Sequence, residues 1–165
     1  MRATLMLTGL AVLATACSMM PQTPQKAQAT LLPTSGQTAT GKVGFRQSGD
    51  TLLLDVTLSG LTPGQHGFHV HEKGDCSAPD ASSAGGHFNP DKHQHGSPDA
   101  PDHHAGDLGN VVAGADGRVS TSITVRGVQL DTLRGRALVV HAGADDLKSQ
   151  PAGNSGARIA CGVIN

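Results

Sequence analysis

The sequence is organised around one stretch, His66-Gly67-Phe68-His69-Val70-His71. If this stretch is a β-strand, His69 and His71 lie two residues apart and project from the same face of an extended backbone. A strand can therefore present two imidazoles to one metal ion with little ordering cost. His66 is out of phase with that pair, so we expect it to form hydrogen bonds around a metal site rather than to bind the ion.

Further imidazoles follow this stretch along the chain. They are accompanied by one nearby carboxylate, and the set is His87, His93, His95, His103, His104, Asp107 and His141. The chain has no Trp or Tyr and a formal net charge of −1, so it has neither the stacking platform nor the basic surface that nucleic-acid binding requires. A chain rich in imidazole and poor in other reactive groups is predicted to work through a bound metal.

The apolar pattern predicts an all-β fold. Val43 and Phe45 alternate with polar residues, and after a turn at 48–50 every second residue from 52 to 58 is apolar, which is typical of a hairpin. Short strand-like runs return further along the chain, at 119–125, 137–140 and 159–164. Some eight short strands with long, unequal loops predict an eight-stranded Greek-key sandwich or flattened barrel.

Residues 75–104 lack any alternation and are rich in Pro, Gly, Asp and Ser. A loop of about thirty residues is uncommon in a compact domain unless it is functional or disordered. Several of the histidines lie in this loop, and we expect a metal ion to order it. His93 and His103 sit beside the other candidate ligands and could compete with them, but a solvated role is favoured for both.

The first residues indicate export. Arg2 precedes an apolar run of about a dozen residues, which is too short to span a bilayer. The run ends in Ala14-Thr15-Ala16-Cys17, which resembles a bacterial lipoprotein cleavage site after which Cys17 would carry the lipid; ordinary secretory cleavage nearby stays open. We predict a signal peptide at 1–16, a flexible tether at 17–29 and a folded domain at 30–165. The expected location is the bacterial cell envelope or periplasm, with a membrane anchor at Cys17.

The two remaining cysteines, Cys76 and Cys161, are far apart in sequence. In an exported chain we expect them to form a disulfide. The alternative is that they bind metal, although neither has a second cysteine at CxxC spacing.

Five sequence blocks carry a resemblance to a known family. The blocks are the histidine stretch at 66–71, Gly85-Gly86-His87-Phe88-Asn89-Pro90, residues 104–110, residues 138–141 and residues 156–163. Their residues and their order resemble the copper/zinc superoxide dismutases of bacteria, over nearly everything after the tether. The resemblance implies a Greek-key β-sandwich with long metal-binding and electrostatic loops.

The resemblance also implies two metal sites that share one ligand. Copper would be bound by four imidazoles, those of His69, His71, His87 and His141. Zinc would be bound by His87 and by three further residues, His95, His104 and Asp107. Imidazole suits both oxidation states of copper, and three histidines with one carboxylate form an acceptable tetrahedral zinc site.

Two more residues have roles implied by the resemblance. Asp145 would join a copper ligand to a zinc ligand by hydrogen bonds, and Arg158 would attract and orient the anionic substrate. One superoxide would reduce copper and leave as dioxygen, and a second would reoxidise it and, with one proton from His87 and one from solvent, leave as hydrogen peroxide. Lys148 could assist electrostatic steering, with a plain surface lysine as the alternative.

A rival hypothesis is a non-catalytic envelope protein of the same fold that binds copper and zinc. The intact copper ligands together with Arg158 argue against it. A histidine-rich metal carrier is a further rival; it would predict loose histidine clusters without Asp107, Asp145 and Arg158 in register, so the enzyme is favoured. The expected partners are superoxide and the membrane, with no nucleic acid. A homodimer is left open.

Overall fold

The computed structural model describes residues 25–165. The predicted signal peptide, the predicted lipidation site at Cys17 and most of the predicted tether lie outside the described residues. The described part forms eight strands and two single-turn helices. The strands are β1 Gln25–Pro33, β2 Thr40–Ser48, β3 Thr51–Ser59, β4 Gly64–His71, β5 Asp107–Ala113, β6 Val119–Arg126, β7 Ala137–His141 and β8 Arg158–Val163; the helices are the 3-10 turn Ser82–Ala84 and α1 Leu130–Leu133.

All strand pairings are antiparallel and join the eight strands into one sheet with the order β5-β4-β7-β8-β1-β2-β3-β6. The sheet curls into a nearly closed barrel, because β5 and β6 at its two edges approach each other. Strands β1, β2 and β3 lie side by side in chain order, and so do β4 and β5. Strand β3, however, pairs with β6, and β4 pairs with β7, so the connections cross over as in a Greek key. The predicted all-β, eight-stranded architecture is confirmed.

The predicted alternation decides which side chains fill the barrel. In β3 the apolar residues at 52, 54, 56 and 58 are buried, whereas Asp55 and Thr57 on the opposite face are exposed. The β2–β3 hairpin turns at 49–50, as the sequence predicts. The interior is filled with large apolar side chains that are shielded from solvent, among them Leu31, Phe45, Leu52, Leu54, Phe68, Leu138 and Ile164. Their burial supplies the main hydrophobic stabilisation of the barrel.

Strand β1 and both single-turn helices were absent from the sequence-based prediction. Strand β1 begins at Gln25, so the prediction of a tether up to residue 29 is wrong for its last residues. Only two residues of β1, Ala29 and Leu31, are fully buried, which leaves too weak an apolar pattern to reveal a strand. Pairing with β2 along 25–31 nevertheless adds it to the sheet. Helix α1 is a single turn, too short to show helical periodicity.

Two long loops cover one face of the barrel. We call residues 72–106 the β4–β5 loop and residues 142–157 the β7–β8 loop. A disulfide between Cys76 and Cys161, as predicted, attaches the β4–β5 loop to β8. Beside it, Ala81 and Ala84 pack on Val139 of β7. Within residues 25–165, no helix is long and apolar enough to cross a membrane.

Candidate metal centre

Strand β4 has two faces with different roles. Phe68 and Val70 point into the apolar barrel, whereas His69 and His71 lie on the other face, beneath the two loops. Both histidines are at most 1% exposed, although one face of a barrel normally meets water. The spacing of these two residues therefore places two buried imidazoles side by side, as the sequence predicts.

Four histidines meet at this position. His69 and His71 from β4, His141 from the end of β7 and His87 from the β4–β5 loop each place one ring nitrogen within 4.8 Å of the others. We call them the four-histidine group. An isolated bridge pairs the backbone of residue 87 with that of residue 71, so the loop extends the sheet at this point.

Hydrogen bonds fix which nitrogen of each ring is free. His71 Nδ1 lies 2.9 Å from the carbonyl oxygen of Gly85, and His141 Nδ1 lies 3.2 Å from that of Gly156. A carbonyl only accepts, so both Nδ1 atoms carry the proton and both Nε2 atoms are available to an ion. These two Nε2 atoms are 3.4 Å apart. His69 is held the other way round, because its Nε2 lies 2.8 Å from Asp145 Oδ2 and leaves Nδ1 free.

The four-histidine group contains two unsatisfied atoms. His69 Nδ1 and His87 Nε2 are buried and have no hydrogen-bond partner among the described residues. A buried polar nitrogen without a partner is costly. Both atoms belong to the same group and face its centre, so an ion bound there would satisfy both. This arrangement of four imidazoles suits copper in both of its oxidation states.

A second group lies on the other side of His87. It consists of His87, His95, His104 and Asp107. Asp107 Oδ1 is 2.7 Å from His87 Nδ1, 3.0 Å from His95 Nδ1 and 3.2 Å from His104 Nδ1. Ligand atoms at about 2.0–2.1 Å from a tetrahedral zinc ion are roughly 3.3 Å apart, so these spacings fit such an ion. We call this set the His–Asp group.

Backbone amides orient the carboxylate of Asp107. Its Oδ2 accepts hydrogen bonds from the N–H groups of Gly96 at 3.1 Å and His104 at 2.9 Å, which leaves Oδ1 facing the three rings. Burial alone would raise the pKa of this carboxyl, but the hydrogen bonds from His87, His104 and Gly96 outweigh it and lower the pKa well below its usual range. The carboxyl of Asp107 is therefore an anion at neutral pH, which is the form in which a carboxylate binds zinc.

Asp145 connects the two groups. Its Oδ2 accepts from His69 and its Oδ1 accepts from His95 Nε2 at 2.9 Å, so one carboxylate orients a ring in each group. Burial would raise its pKa, but these hydrogen bonds lower it overall. Gly153 packs against this contact, where a Cβ would collide with Asp145 Oδ1 and His95 Nε2. The φ of +65° at this position also favours glycine.

Burial keeps three rings of the four-histidine group neutral, those of His69, His71 and His141. Desolvation is the largest influence on each and lowers the pKa of His71 to about 2 and that of His141 to about 3. The pKa of His69 is lowered for the same reason, although its contact with Asp145 partly opposes the shift. Neutral imidazole is the form that binds a metal, so the fold prepares these rings for an ion.

Arg158, the first residue of β8, lies next to this site. Its guanidinium donates hydrogen bonds of 2.6 Å to the carbonyl oxygens of Ala81 and Gly85. The carbonyl of Gly85 also accepts from His71, so one oxygen atom joins the cation to the four-histidine group. The disulfide at Cys161, three residues further along, fastens both the strand and the loop that hold this side chain.

The remaining histidines lie outside both groups. His66 is buried, with Nδ1 2.8 Å from the carbonyl oxygen of His141 and Nε2 2.9 Å from that of Thr62, which matches the predicted hydrogen-bonding role. His93 is exposed, and its Nδ1 contacts the carbonyl oxygen of His103 at 3.2 Å. His103 in turn contacts the carbonyl oxygen of Ala100. Lys148 is exposed.

Sequence reasoning missed two amide side chains at the site. Asn110 pairs with both the N–H and the C=O of Asp145, and Gln150 pairs in the same way with His95. The partners are separated by 35 and 55 residues, respectively. No pattern in a single sequence predicts a contact of this kind, because it arises only when the two loops pack together.

The geometry is that of a class of protein, β-barrels in which two adjacent groups able to hold a metal ion have one imidazole in common. Comparisons with known proteins agree with that class. The family described as copper/zinc superoxide dismutase (SODC) matches residues 39–164. The chain therefore belongs to the copper/zinc superoxide dismutase family. As a member of that family it is an oxidoreductase that acts on superoxide, with copper and zinc as its cofactors.

Individual relatives support the assignment. The chain is 44% identical over 136 residues to an extracellular superoxide dismutase [Cu-Zn] of Brugia pahangi, a match that covers 75% of this chain and 68% of that protein. It is 43% identical over 148 residues to the corresponding protein of Caenorhabditis elegans, covering 84% and 65%. It is also 47% identical over 134 residues to a copper chaperone for superoxide dismutase from Rattus norvegicus, covering 77% of this chain and 48% of the chaperone.

A solved structure supports the fold in the same way. The crystal structure of the clock protein EA4 superposes with a TM-score of 0.78 at 39% sequence identity. The match covers 87% of this chain and 96% of that one.

Proposed function

We propose that this chain is an exported superoxide dismutase in which the four-histidine group binds copper and the His–Asp group binds zinc. The observation that carries the proposal is the position of His87. Its Nδ1 faces Asp107 in one group, and its Nε2 is buried in the other and has no hydrogen-bond partner within residues 25–165. A ring placed in this way is suited to join two ions, one at each nitrogen.

The bound copper would supply one-electron exchange with superoxide, and zinc would hold the shared ring and the surrounding loops in place. The role of the chain is to present four imidazoles, from β4, from β7 and from the β4–β5 loop. Asp145 and the carbonyls of Gly85 and Gly156 fix the orientation of the other three rings. His87 Nε2 is the atom at which the chain can take up a proton and return it to the product.

Arg158 would attract the substrate. Its guanidinium is held by two carbonyl oxygens, neither of which neutralises its charge, so it stays available to an anion. Such a charge steers a small anion toward the site, which raises the association rate, and salt weakens the steering. Superoxide dismutases are a well-known example of this effect.

The experiment is metal analysis of the purified protein together with a superoxide-consumption assay. We expect one copper and one zinc for each chain and fast turnover. His141→Ala should lower the rate by at least about 100-fold, because it removes one of the four copper ligands. A full rate in that variant would refute the copper assignment.

Arg158→Ala should reduce the rate about tenfold at low ionic strength while both metals are retained. The matched control is Arg118→Ala, which removes an exposed arginine in the turn between β5 and β6, paired with Asp116 and belonging to neither group. An unchanged rate for Arg158→Ala at low salt would refute the steering role.

We also propose export to a bacterial cell envelope, with lipid attached at Cys17. The sequence of residues 1–17 supports this location, and two of the relatives are named as extracellular enzymes. Membrane fractionation of the wild-type chain and of Cys17→Ser checks the anchor, because only the wild type should remain with the membrane. Sedimentation analysis of the soluble variant checks for the homodimer.

The second candidate function is copper or zinc binding without catalysis. The likeness to a protein named as a copper chaperone is the observation that raises it. Retention of both metal groups together with Arg158 favours the enzyme. A chain loaded with both metals that leaves superoxide untouched would favour the second function.

A further inference from the structure

Gln150 makes a two-point contact with the backbone of His95. Its Oε1 accepts a hydrogen bond from the His95 N–H at 2.8 Å, and its Nε2 donates to the His95 carbonyl oxygen, also at 2.8 Å. The same Nε2 donates to the carbonyl oxygen of Lys148 at 3.1 Å. Both donors of the amide and one of its acceptor positions are thus used, so the contact fixes the His95 backbone in one orientation.

His95 depends on this contact because it lies in no strand or helix. In the part of the chain that the structure describes, both hydrogen bonds of its backbone go to Gln150. Its ring must meet two demands at once, with Nδ1 at Asp107 and Nε2 at Asp145. A small rotation of the backbone would spoil one of these contacts or both.

Two other amides make the same kind of contact. Asn110 pairs with the backbone of Asp145 at 2.9 and 2.7 Å. Gln150 and Asn110 therefore fix the two residues whose side chains form the His95–Asp145 hydrogen bond. Asn89 pairs with the backbone of His93 at 2.8 and 3.0 Å, but His93 belongs to neither metal group. Asn89 thus offers a control, because it makes the same kind of contact with a residue of the β4–β5 loop, to which His95 also belongs.

We propose that Gln150 is a positioning residue for the zinc site, which holds His95 so that its Nδ1 points at the ion while its Nε2 stays on Asp145. The inference rests on the proposed assignment of zinc to the His–Asp group. Hydrogen-bond partners that orient a metal ligand typically change metal affinity by about 10–100-fold when removed. Gln150 acts on the backbone of the ligand, and it comes from a different loop, so it also makes zinc binding depend on how the β7–β8 loop is packed.

The test compares the wild type with Gln150→Met, which keeps the length of the side chain and removes its hydrogen bonds, and with Asn89→Met as the control. Zinc is loaded into each full-length protein, and its release to a chromophoric chelator is timed. Cobalt(II) is then placed in the same site, because its visible absorption bands report the geometry of its ligands. Far-UV circular dichroism confirms that each variant is folded.

We expect Gln150→Met to release zinc about tenfold faster or more and to shift the cobalt bands, whereas Asn89→Met should stay within about twofold of the wild type. Release within twofold of the wild type in Gln150→Met would overturn the proposal. Equal acceleration in both variants, or faster release with unchanged cobalt bands, would also overturn it, because either result indicates loosening of the loop rather than positioning of His95.

The test also covers a Gln150→Met variant that does not fold and a wild type that lacks the proposed activity. If Gln150→Met fails to fold, Gln150→Glu replaces it, because the carboxylate still accepts from the His95 N–H and loses only the two donations; the same criteria then apply. The readouts are metal release and absorption, not superoxide consumption. A wild type that binds zinc at this site but leaves superoxide untouched would therefore refute the proposed activity without affecting the role of Gln150.

Discussion

The barrel and the two loops that cover it are held together by different forces. In the barrel, apolar side chains such as Leu54 and Phe68 are entirely shielded from water. Beneath the loops, many of the buried side chains are polar instead, and Asp107, at the start of β5, and Asp145 each accept hydrogen bonds from histidine rings and from backbone amides. The barrel is thus stabilised by the hydrophobic effect, and the loops by polar contacts centred on the four-histidine group and the His–Asp group.

Because of this difference, loss of an ion and loss of apolar packing should affect different regions of the molecule. Removing an ion leaves buried atoms such as His69 Nδ1 and His87 Nε2 unsatisfied, and both lie beneath the loops. Shortening a side chain inside the barrel leaves an apolar cavity instead. The two regions should therefore respond to different perturbations, although the disulfide between Cys76 and Cys161 connects them.

The largest effect is expected from withdrawal of both metals. Amide hydrogens in the segments 89–106 and 142–157 should exchange at least about 100-fold faster, whereas those in β2 and β3 should keep most of their protection. Hydrogen exchange with mass spectrometry, before and after chelation, checks this. Equal loss of protection in both regions would contradict the division between them.

Leu54→Ala perturbs the barrel alone. It should lower the free energy of unfolding by about 2–5 kcal/mol, because it opens a cavity at a fully buried position. Chemical denaturation measures this change, and metal analysis of the folded protein should still give one copper and one zinc. Val112→Ala is the surface control, since Val112 is 61% exposed and should change stability by less than about 0.5 kcal/mol.

A smaller effect is expected from mild acid. Protons compete with copper only when an imidazole can be protonated, and burial lowers the pKa of His71 to about 2 and that of His141 to about 3. Lowering the pH through 6.5, where an exposed histidine gains its proton, should therefore leave copper bound. We expect less than a twofold loss between pH 7 and pH 5, measured as metal content after dialysis. Release centred near pH 6.5 would contradict the depressed pKa values.

The parts of the fold that could be predicted are those encoded locally. The alternation from 52 to 58 predicts β3, and the spacing of His69 and His71 predicts two rings on one face of a strand. Strand β1 was missed because its face toward solvent is polar and only Ala29 and Leu31 are fully buried. Its place in the sheet is decided by pairing with β2 and β8, which a local pattern does not contain.

Only part of the candidate site could likewise be predicted from the sequence. Its residue types were identified because the histidine blocks resemble those of a known family. Physical reasoning from one sequence could not have shown that Asp145 contacts His69 and His95, because those contacts join residues 76 and 50 positions apart. The amide contacts of Asn110 and Gln150 depend on the same packing of loops, and nothing in their local sequence indicates them.

The central claim is that one imidazole, that of His87, joins two different ions. The most direct measurement is a crystal structure of the protein loaded with copper and zinc, with anomalous scattering recorded at both absorption edges. We expect copper at His87 Nε2 among the four histidines and zinc at His87 Nδ1 beside Asp107. A fully loaded structure in which His87 touches only one ion, or neither, would contradict the account.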